Sequence, residues 1–258
     1  MTGTVTTRRV GQVAIIAINR PERHNAVDPA TSIAVDAALN DYEQDSAVAA
    51  VVLTGAGDKA FCTGMDLKFA AEHGVQHVMI PDRGFCGLTS RPTYRKPLIA
   101  AVNGFAMAGG FELALACDLI VASENASFAL PEVKRGLFAG AGGIIRLTRR
   151  VPGNVALEII MTGERVDAHR ALSAGIVNHV VPVGQACDKA VEIAEKIAEN
   201  APVSVRISRQ LSYAALDLAY ADAVVLSKEL GAEMLDSEDR LEGVRAFAEG
   251  RKPVWKGR

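Results

Sequence analysis

PLIAAVNGFAMAGGFELALACDLIVASENASFAL, residues 97–130, decides the fold. PLIAAVNG (97–104) is a continuous apolar run closed by Asn-Gly, as a strand buried on both faces would be. GGFELALACD (109–118) opens on two glycines and stays apolar at helical spacing, so a helix is expected there. LIVASENASFAL (119–130) reads as two strands around a polar turn. Strand-then-helix units of this kind point to an α/β core.

The same alternation extends outward. VTTRRVGQVAIIAIN (5–19) reads as a hairpin with Gly11 near its turn. Pro21 breaks the pattern, and Asp28-Pro29 gives an N-cap and first-turn signal. Ile33, Ala34, Ala37, Ala38 and Tyr42 then recur at helical spacing. VAAVVLTGAG (48–57) is another buried strand, and DKAFCTGMDLKFA (58–70) passes through a glycine turn into a short helix capped by Asp66. Residues 69–93 mix Gly74, Pro81, Gly84 and Gly87 with weak periodicity, which suits a lid or pocket wall. After Gly136 the chain reads as mostly helical, with one strand at IVNHVVP (176–182). A helical pattern runs from Pro202 to about Gly231, and SEDRLEGVRAFAEG (237–250) looks like a capped final helix. The expected division is a core over 1–200 and a helical region over 201–258.

With 258 residues, 49% apolar and 22% charged, the composition is that of an ordinary globular protein with a sizeable core. A net charge of −2 favours neither nucleic acid nor an anionic membrane as partner. Cys62, Cys86, Cys117 and Cys187 are scattered, with no CxxC pair and no zinc spacing, so buried thiols in a reducing compartment and no metal site are expected. The N-terminus carries no signal-like apolar core and no run reaches membrane-spanning length, which makes the cytoplasm the default.

Chemistry can be read at three places. Gly109-Gly110 would present first-turn amides, which lack partners inside a helix and sit at its positive end. Glu112 follows in an otherwise apolar helix, where it is either a response to the dipole or catalytic. Glu132 stands after a strand and Pro131, with Gly136, Gly140, Gly142 and Gly143 just beyond. Two carboxylates brought together would have displaced pKa values and could divide acid and base roles.

NRPERHNA (19–26), AFCTGMDL (60–67), AAVNGFAMAGGFELALACD (100–118), FALPEVKRGLFAGAGG (128–143) and TGERVDAHRALSAGIVNHVVP (162–182) resemble, in order, the blocks of the crotonase (enoyl-CoA hydratase/isomerase) family. The resemblance implies a crotonase-like α/β spiral of ββα units with a helical C-terminal trimerisation region, as a homotrimer or dimer of trimers. It implies a hydro-lyase of the enoyl-CoA hydratase type, whose acyl-CoA substrate brings coenzyme A and needs no further cofactor. In it, the amides of Met65 and Gly109 would hold the thioester carbonyl. Glu112 would handle the water and Glu132 the proton at Cα, or the reverse, with the Gly140 backbone orienting the water. Coenzyme A would lie along Arg23, His24 and Ala26 and along Gly64, Met65, Asp66, Leu67 and Lys68. Ala139 replaces a frequent proline, and Gly250 a frequent lysine, of the family pattern.

LPEVKRGL, SEDRLEGVRAFAEG and PVWKGR are similar to the branch of the family that dehydrates carnitinyl-CoA, whose quaternary ammonium would favour aromatic neighbours such as Phe69, Phe85, Tyr94, Phe105 and Phe138. A double-bond isomerase would need only one of the two glutamates. A non-catalytic acyl-CoA or RNA-binding module on this fold would need neither.

Overall fold

A computed structural model describes residues 3–92 and 94–258. Strands β1 (Val5–Val10) and β2 (Val13–Ile18) form the expected antiparallel hairpin, and α1 (Pro29–Gln44) starts where Asp28 accepts the Thr31 N–H at 2.9 Å. Three ββα turns follow. The first is β3 (Ala50–Gly55), β4 (Ala60–Cys62) and α2 (Leu67–His73), followed by a small hairpin, β5 (Met79–Ile80) with β6 (Gly84–Phe85). The second is β7 (Leu98–Val102), β8 (Phe105–Met107) and α3 (Gly109–Leu115). The third is β9 (Leu119–Ser123), β10 (Ser127–Ala129), a 3-10 turn at Pro131–Arg135 and α4 (Gly143–Arg150). Then come α5 (Gly153–Thr162), β11 (Val166–Asp167), α6 (Ala168–Ser173), β12 (His179–Val181), α7 (Ala186–Ala198), α8 (Pro202–Ala214), α9 (Tyr220–Leu235) and α10 (Glu238–Glu249).

The first strand of each turn joins a six-stranded sheet, β1-β2-β3-β7-β9-β12, and the second joins a four-stranded sheet, β11-β10-β8-β4. Within each sheet the repeated strands run parallel, with Val52 beside Ile99 and Phe128 beside Ala106. The chain therefore spirals, one step along both sheets per turn. Side chains alternate across a strand. Ile16, Leu53, Ala100 and Ile120 accordingly face the main core, while Ile15, Val52, Ile99 and Val121 face Ala186, Ala190 and Ala194 of α7. Both faces are covered, which is why these strands read as continuous apolar runs.

Two expectations need revision. The strand at 97–104 does not pass directly into a helix, because the three-residue β8 intervenes. The two strands of 119–130 do stand around a polar turn, and β9 and β10 belong to different sheets. The pattern from Pro202 to Gly231 is two helices, broken at 215–219, where Arg149 donates to the Leu216 carbonyl and pairs with Asp217. The 69–93 stretch fits the expected wall, with Phe85, Cys86, Leu88 and Thr89 buried; Thr93 lies outside the described residues.

The C-terminus folds back. Asp239 accepts the amides of Lys256 at 2.7 Å and Gly257 at 3.0 Å, and the Trp255 indole donates to the Glu199 carbonyl at 2.8 Å. Cys62, Cys86 and Cys117 are buried and Cys187 half-buried, none of them in a disulfide. Among the described residues, no helix is long and apolar enough to cross a membrane.

Candidate active site

The turn from β8 into α3 sets the first feature. Ala108 sits at φ 51°, ψ −128°, a conformation uncommon for a residue with a Cβ, and its own N–H donates to Ala129 O at 2.9 Å. This sharp corner makes Gly109 the first residue of the helix, so its N–H has no partner within α3. Gly64 packs against it. Gly64 lies at φ 86°, and a Cβ there would come within 3.0 Å of Gly109 N and 3.2 Å of Ala108 Cβ. Only glycine meets both conditions.

Met65 follows in an extended bridge to Val27. The Val27 N–H donates to Gly64 O and the Asp66 N–H to Val27 O, each at 2.8 Å. Amides of an extended chain alternate in direction, so the Met65 N–H between those bonds faces away from Val27. Gly64, the neighbour of Met65, packs directly against the Gly109 amide. Phe85 packs there too, its ring 3.2 Å from where a Gly109 Cβ would be. The 69–93 stretch therefore does supply a pocket wall.

Glu112, one turn into α3, is buried, and its Oε1 accepts the Gly143 N–H at 2.9 Å. Its pKa is pushed up to about 7, chiefly by burial and further by the Glu132 carboxylate, while the amides of Gly143 and Ala141 and the Arg146 charge work the other way. Glu132, at the start of the 3-10 turn, is also raised, mainly by burial, against its own backbone amide and Arg135. Its Oε2 is buried without a hydrogen-bond partner among the described residues. The Glu132 charge is felt at Glu112, so the carboxylates lie near enough for one to disfavour ionisation of the other.

The remaining expected residues divide. Val27–Met65 bridging zips 20–28 to 64–68, so Arg23, His24 and Ala26 lie beside Gly64 to Lys68. Arg23, His24, Leu67 and Lys68 are exposed. Ala26 O is already held by Arg20 at 2.5 Å. Asp66 is committed to structure: burial would raise its pKa, but the Phe69 amide and Arg20, at 3.2 Å, hold it below its usual value. Gly140 is exposed, with the Phe138 ring 3.2 Å from its Cβ position, and it is Gly143 whose amide reaches Glu112.

Sequence reasoning missed Gly143, Arg146, Arg20 and Asn25. A Cβ on Gly143 would lie 2.8 Å from Glu112 Cγ, so the glycine run after Glu132 did carry a signal of close approach. Asn25 ties the same region down, donating to Ala56 O at 3.0 Å and Ala60 O at 2.7 Å. No local pattern marks such distant pairings.

Residues 8–258 match the family model described as enoyl-CoA hydratase/isomerase. A protein of Proteus mirabilis (strain HI4320) called carnitinyl-CoA dehydratase is 42% identical over 98% of each chain. The crystal structure of an enoyl-CoA hydratase from Mycobacterium tuberculosis H37Rv superposes with a TM-score of 0.94 at 41% identity over 99% of each chain. That of a carnitinyl-CoA hydratase from Mycobacterium avium gives 0.78 at 47% identity over 100% of each.

Proposed function

Because the chain belongs to the enoyl-CoA hydratase/isomerase family, we propose that Glu112 and Glu132 share the work of moving one water to or from the Cα–Cβ bond of an acyl-CoA thioester. The protein is a hydro-lyase of the enoyl-CoA hydratase and carnitinyl-CoA dehydratase type. The thioester carbonyl is held by the amides of Met65 and Gly109, where negative charge develops as the proton at Cα is exchanged. One such preorganised donor is worth ~2.7–4 kcal/mol in the transition state. Glu112, fixed at Oε1 by Gly143, keeps its other oxygen for the water. Glu132, through Oε2, exchanges the proton at Cα. The hydroxide equivalent adds at Cβ and the proton at Cα; dehydration reverses both. No cofactor beyond the substrate's coenzyme A takes part, and Arg23, His24, Ala26 and Gly64 to Lys68 form its track.

The observation that carries this reading is the buried Glu112 with a pKa near 7 beside a second raised carboxylate. An isomerase needs one proton shuttle and has no use for the pair. Loss of enoyl-thioester absorbance with crotonyl-CoA in water tests it. Substrate turnover is expected, and an unchanged spectrum across short and medium enoyl-CoA chains would sink the hydro-lyase assignment for this site.

The acyl group is the finer question. The names of the relatives make crotonobetainyl-CoA and carnitinyl-CoA the first substrates to try beside simple enoyl-CoAs. Of the aromatic candidates, Phe69 stacks on His73, Tyr94 carries Arg91 and Phe105 carries Arg165. Phe85 and Phe138 remain to meet a trimethylammonium group, two rings and not a full cage. The kcat/KM ratio of crotonobetainyl-CoA to crotonyl-CoA decides between these substrates.

The C-terminal region is proposed to pack on a second copy, giving a trimer or dimer of trimers. Tyr220, Val225, Leu235, Leu241, Val244 and Phe247 are exposed apolar side chains, more than a free surface of this size needs. The unpaired buried thiols support a cytoplasmic location.

A further inference from the structure

α4 carries a run of arginines, and their partners differ. Arg149 pairs with Asp217, while Arg150 donates to the carbonyls of Cys117 at 3.1 Å and Ile176 at 3.5 Å, tying the end of α3 to the loop before β12. Arg146, like Arg150, is held by carbonyls, but its carbonyls border the site of the two glutamates. Its Nη2 donates to Thr89 O at 2.8 Å and its Nη1 to Ala141 O at 3.4 Å, and among the described residues it makes no salt bridge. The guanidinium lies close against Gly142, where a Cβ would come within 2.1 Å of Nη1. A largely buried cation held only by carbonyls has exchanged water for partners that leave its charge uncancelled. Such an arrangement is costly as mere packing.

Both carbonyls lead to the reaction site. Ala141 begins the turn whose Gly143 amide fixes Glu112. Thr89 belongs to the turn whose hydroxyl accepts the Phe85 N–H at 2.8 Å, and Phe85 packs against Gly109. One side chain therefore joins the turn that aims the carboxylate to the turn that walls the space beside the Gly109 amide.

We propose that Arg146 is a positioning residue: it braces the Ala141–Gly143 turn against the Thr89 turn, and places an uncancelled positive charge behind the paired carboxylates. This rests on the reading of Glu112 and Glu132 as the catalytic pair. The charged and titratable groups around Glu112 are Glu132 from the 3-10 turn, with Arg135 behind it, and Arg146 from α4. Arg146 in turn faces Arg150 on its own helix, Cys117 after α3 and Tyr213 of α8. Of the groups facing Glu112, Glu132 disfavours its charged form and Arg146 favours it. Removing the cation should therefore make the carboxylate harder to ionise.

The test uses Arg146→Gln, Arg146→Lys and Glu112→Gln in the full-length protein, with kcat, KM and the pH profile of kcat/KM read together. Arg146→Gln should lower kcat by roughly 10-fold or more with KM within about threefold, the signature of an interaction realised in the transition state. The acid-side limb of its hydration profile, set by Glu112 having to be ionised to activate the water, should also move to higher pH, by roughly half to one unit. Arg146→Lys keeps the charge but not the planar fork that spans two carbonyls, so kcat should fall while the limb stays. If Arg146→Gln does not fold, Arg146→Lys alone decides: parental kcat overturns the proposal. A folded Arg146→Gln with parental kcat and an unmoved limb overturns it too, as does a limb that moves equally in both variants. Glu112→Gln separates the two levels. If it stays active, the carboxylate pair itself is wrong; if it is inactive while Arg146→Gln is parental, only the brace is wrong.

Discussion

Helices α3 and α9 make opposite bargains with their surroundings. α3 has seven residues, and Gly110 to Leu115 are all buried, a carboxylate among them. α9 has sixteen residues and none is buried, although Tyr220, Val225 and Leu235 are apolar. A helix as short as α3 is not stable alone in water. It exists because tertiary packing holds it, and that same packing shifts the pKa of Glu112. α9 is long enough to persist but leaves apolar surface outside. On the proposed reading, α3 serves the chemistry within one chain and α9 would serve assembly between chains.

The comparison can be broken first at the start of α3, where adjacent glycines serve different ends. A Cβ on Gly110 would lie 2.0 Å from Cys62 O, a backbone atom with nowhere to go, whereas one on Gly109 would meet the edge of the Phe85 ring at 3.2 Å. Gly110→Ala should cost about 3 kcal/mol or more, or abolish folding, as overpacking of a tight site does. Gly109→Ala should fold with a near-parental melting temperature and bind substrate less tightly. Equal melting temperatures for the two would show that α3 is not clamped as described.

Next comes the cost of the buried carboxylate. Burial pushes the Glu112 pKa up to about 7 from an ordinary 4.5. The folded state therefore holds a proton that the unfolded chain has released, and stability is lost as pH rises through that window, by roughly 3 kcal/mol at most. Glu132 acts in the same direction. Glu112→Gln removes the Glu112 contribution. Urea melts should find the variant more stable than the parent at pH 8, with the gap closing toward pH 5. A gap that widens toward pH 5 would reverse the sign and refute the burial argument.

How much of this was legible in the sequence follows from distance along the chain. Gly109 and Glu112 share one helix turn, so their relation appears in a local pattern. Glu132 is marked by its own strand end. The Glu112–Gly143 bond spans 31 positions and the Arg20–Asp66 bond 46, and no periodicity encodes such pairings. β8 and β11, of three and two residues, are too short for alternation to declare them. The break at 215–219 was hidden because Ala214, Ala215 and Leu216 continue a good helical composition, and tertiary contacts from Arg149 favour the turn. The ββα spiral was accessible through the resemblance of whole blocks, not through the strand-then-helix reading.

The smallest effect on the single chain is expected at the other end of the comparison. Phe247 is 91% exposed. Phe247→Ser should change the stability of an isolated chain by no more than about 0.5 kcal/mol, as surface substitutions do, yet weaken assembly if α10 packs on a neighbour. Light scattering should show the parent as a trimer or hexamer and the variant shifted toward smaller species. A monomeric parent at micromolar concentration would remove the reason for the apolar surface of α9 and α10.

Hydration kinetics of the two isosteric variants test the carboxylate pair most directly. Glu112→Gln and Glu132→Gln, each confirmed folded by circular dichroism, should each lose kcat by at least ~10²-fold on an enoyl-CoA that the parent hydrates, the scale of a positioned acid or base. Parental kcat in either variant would contradict a mechanism in which both glutamates handle the water and its proton.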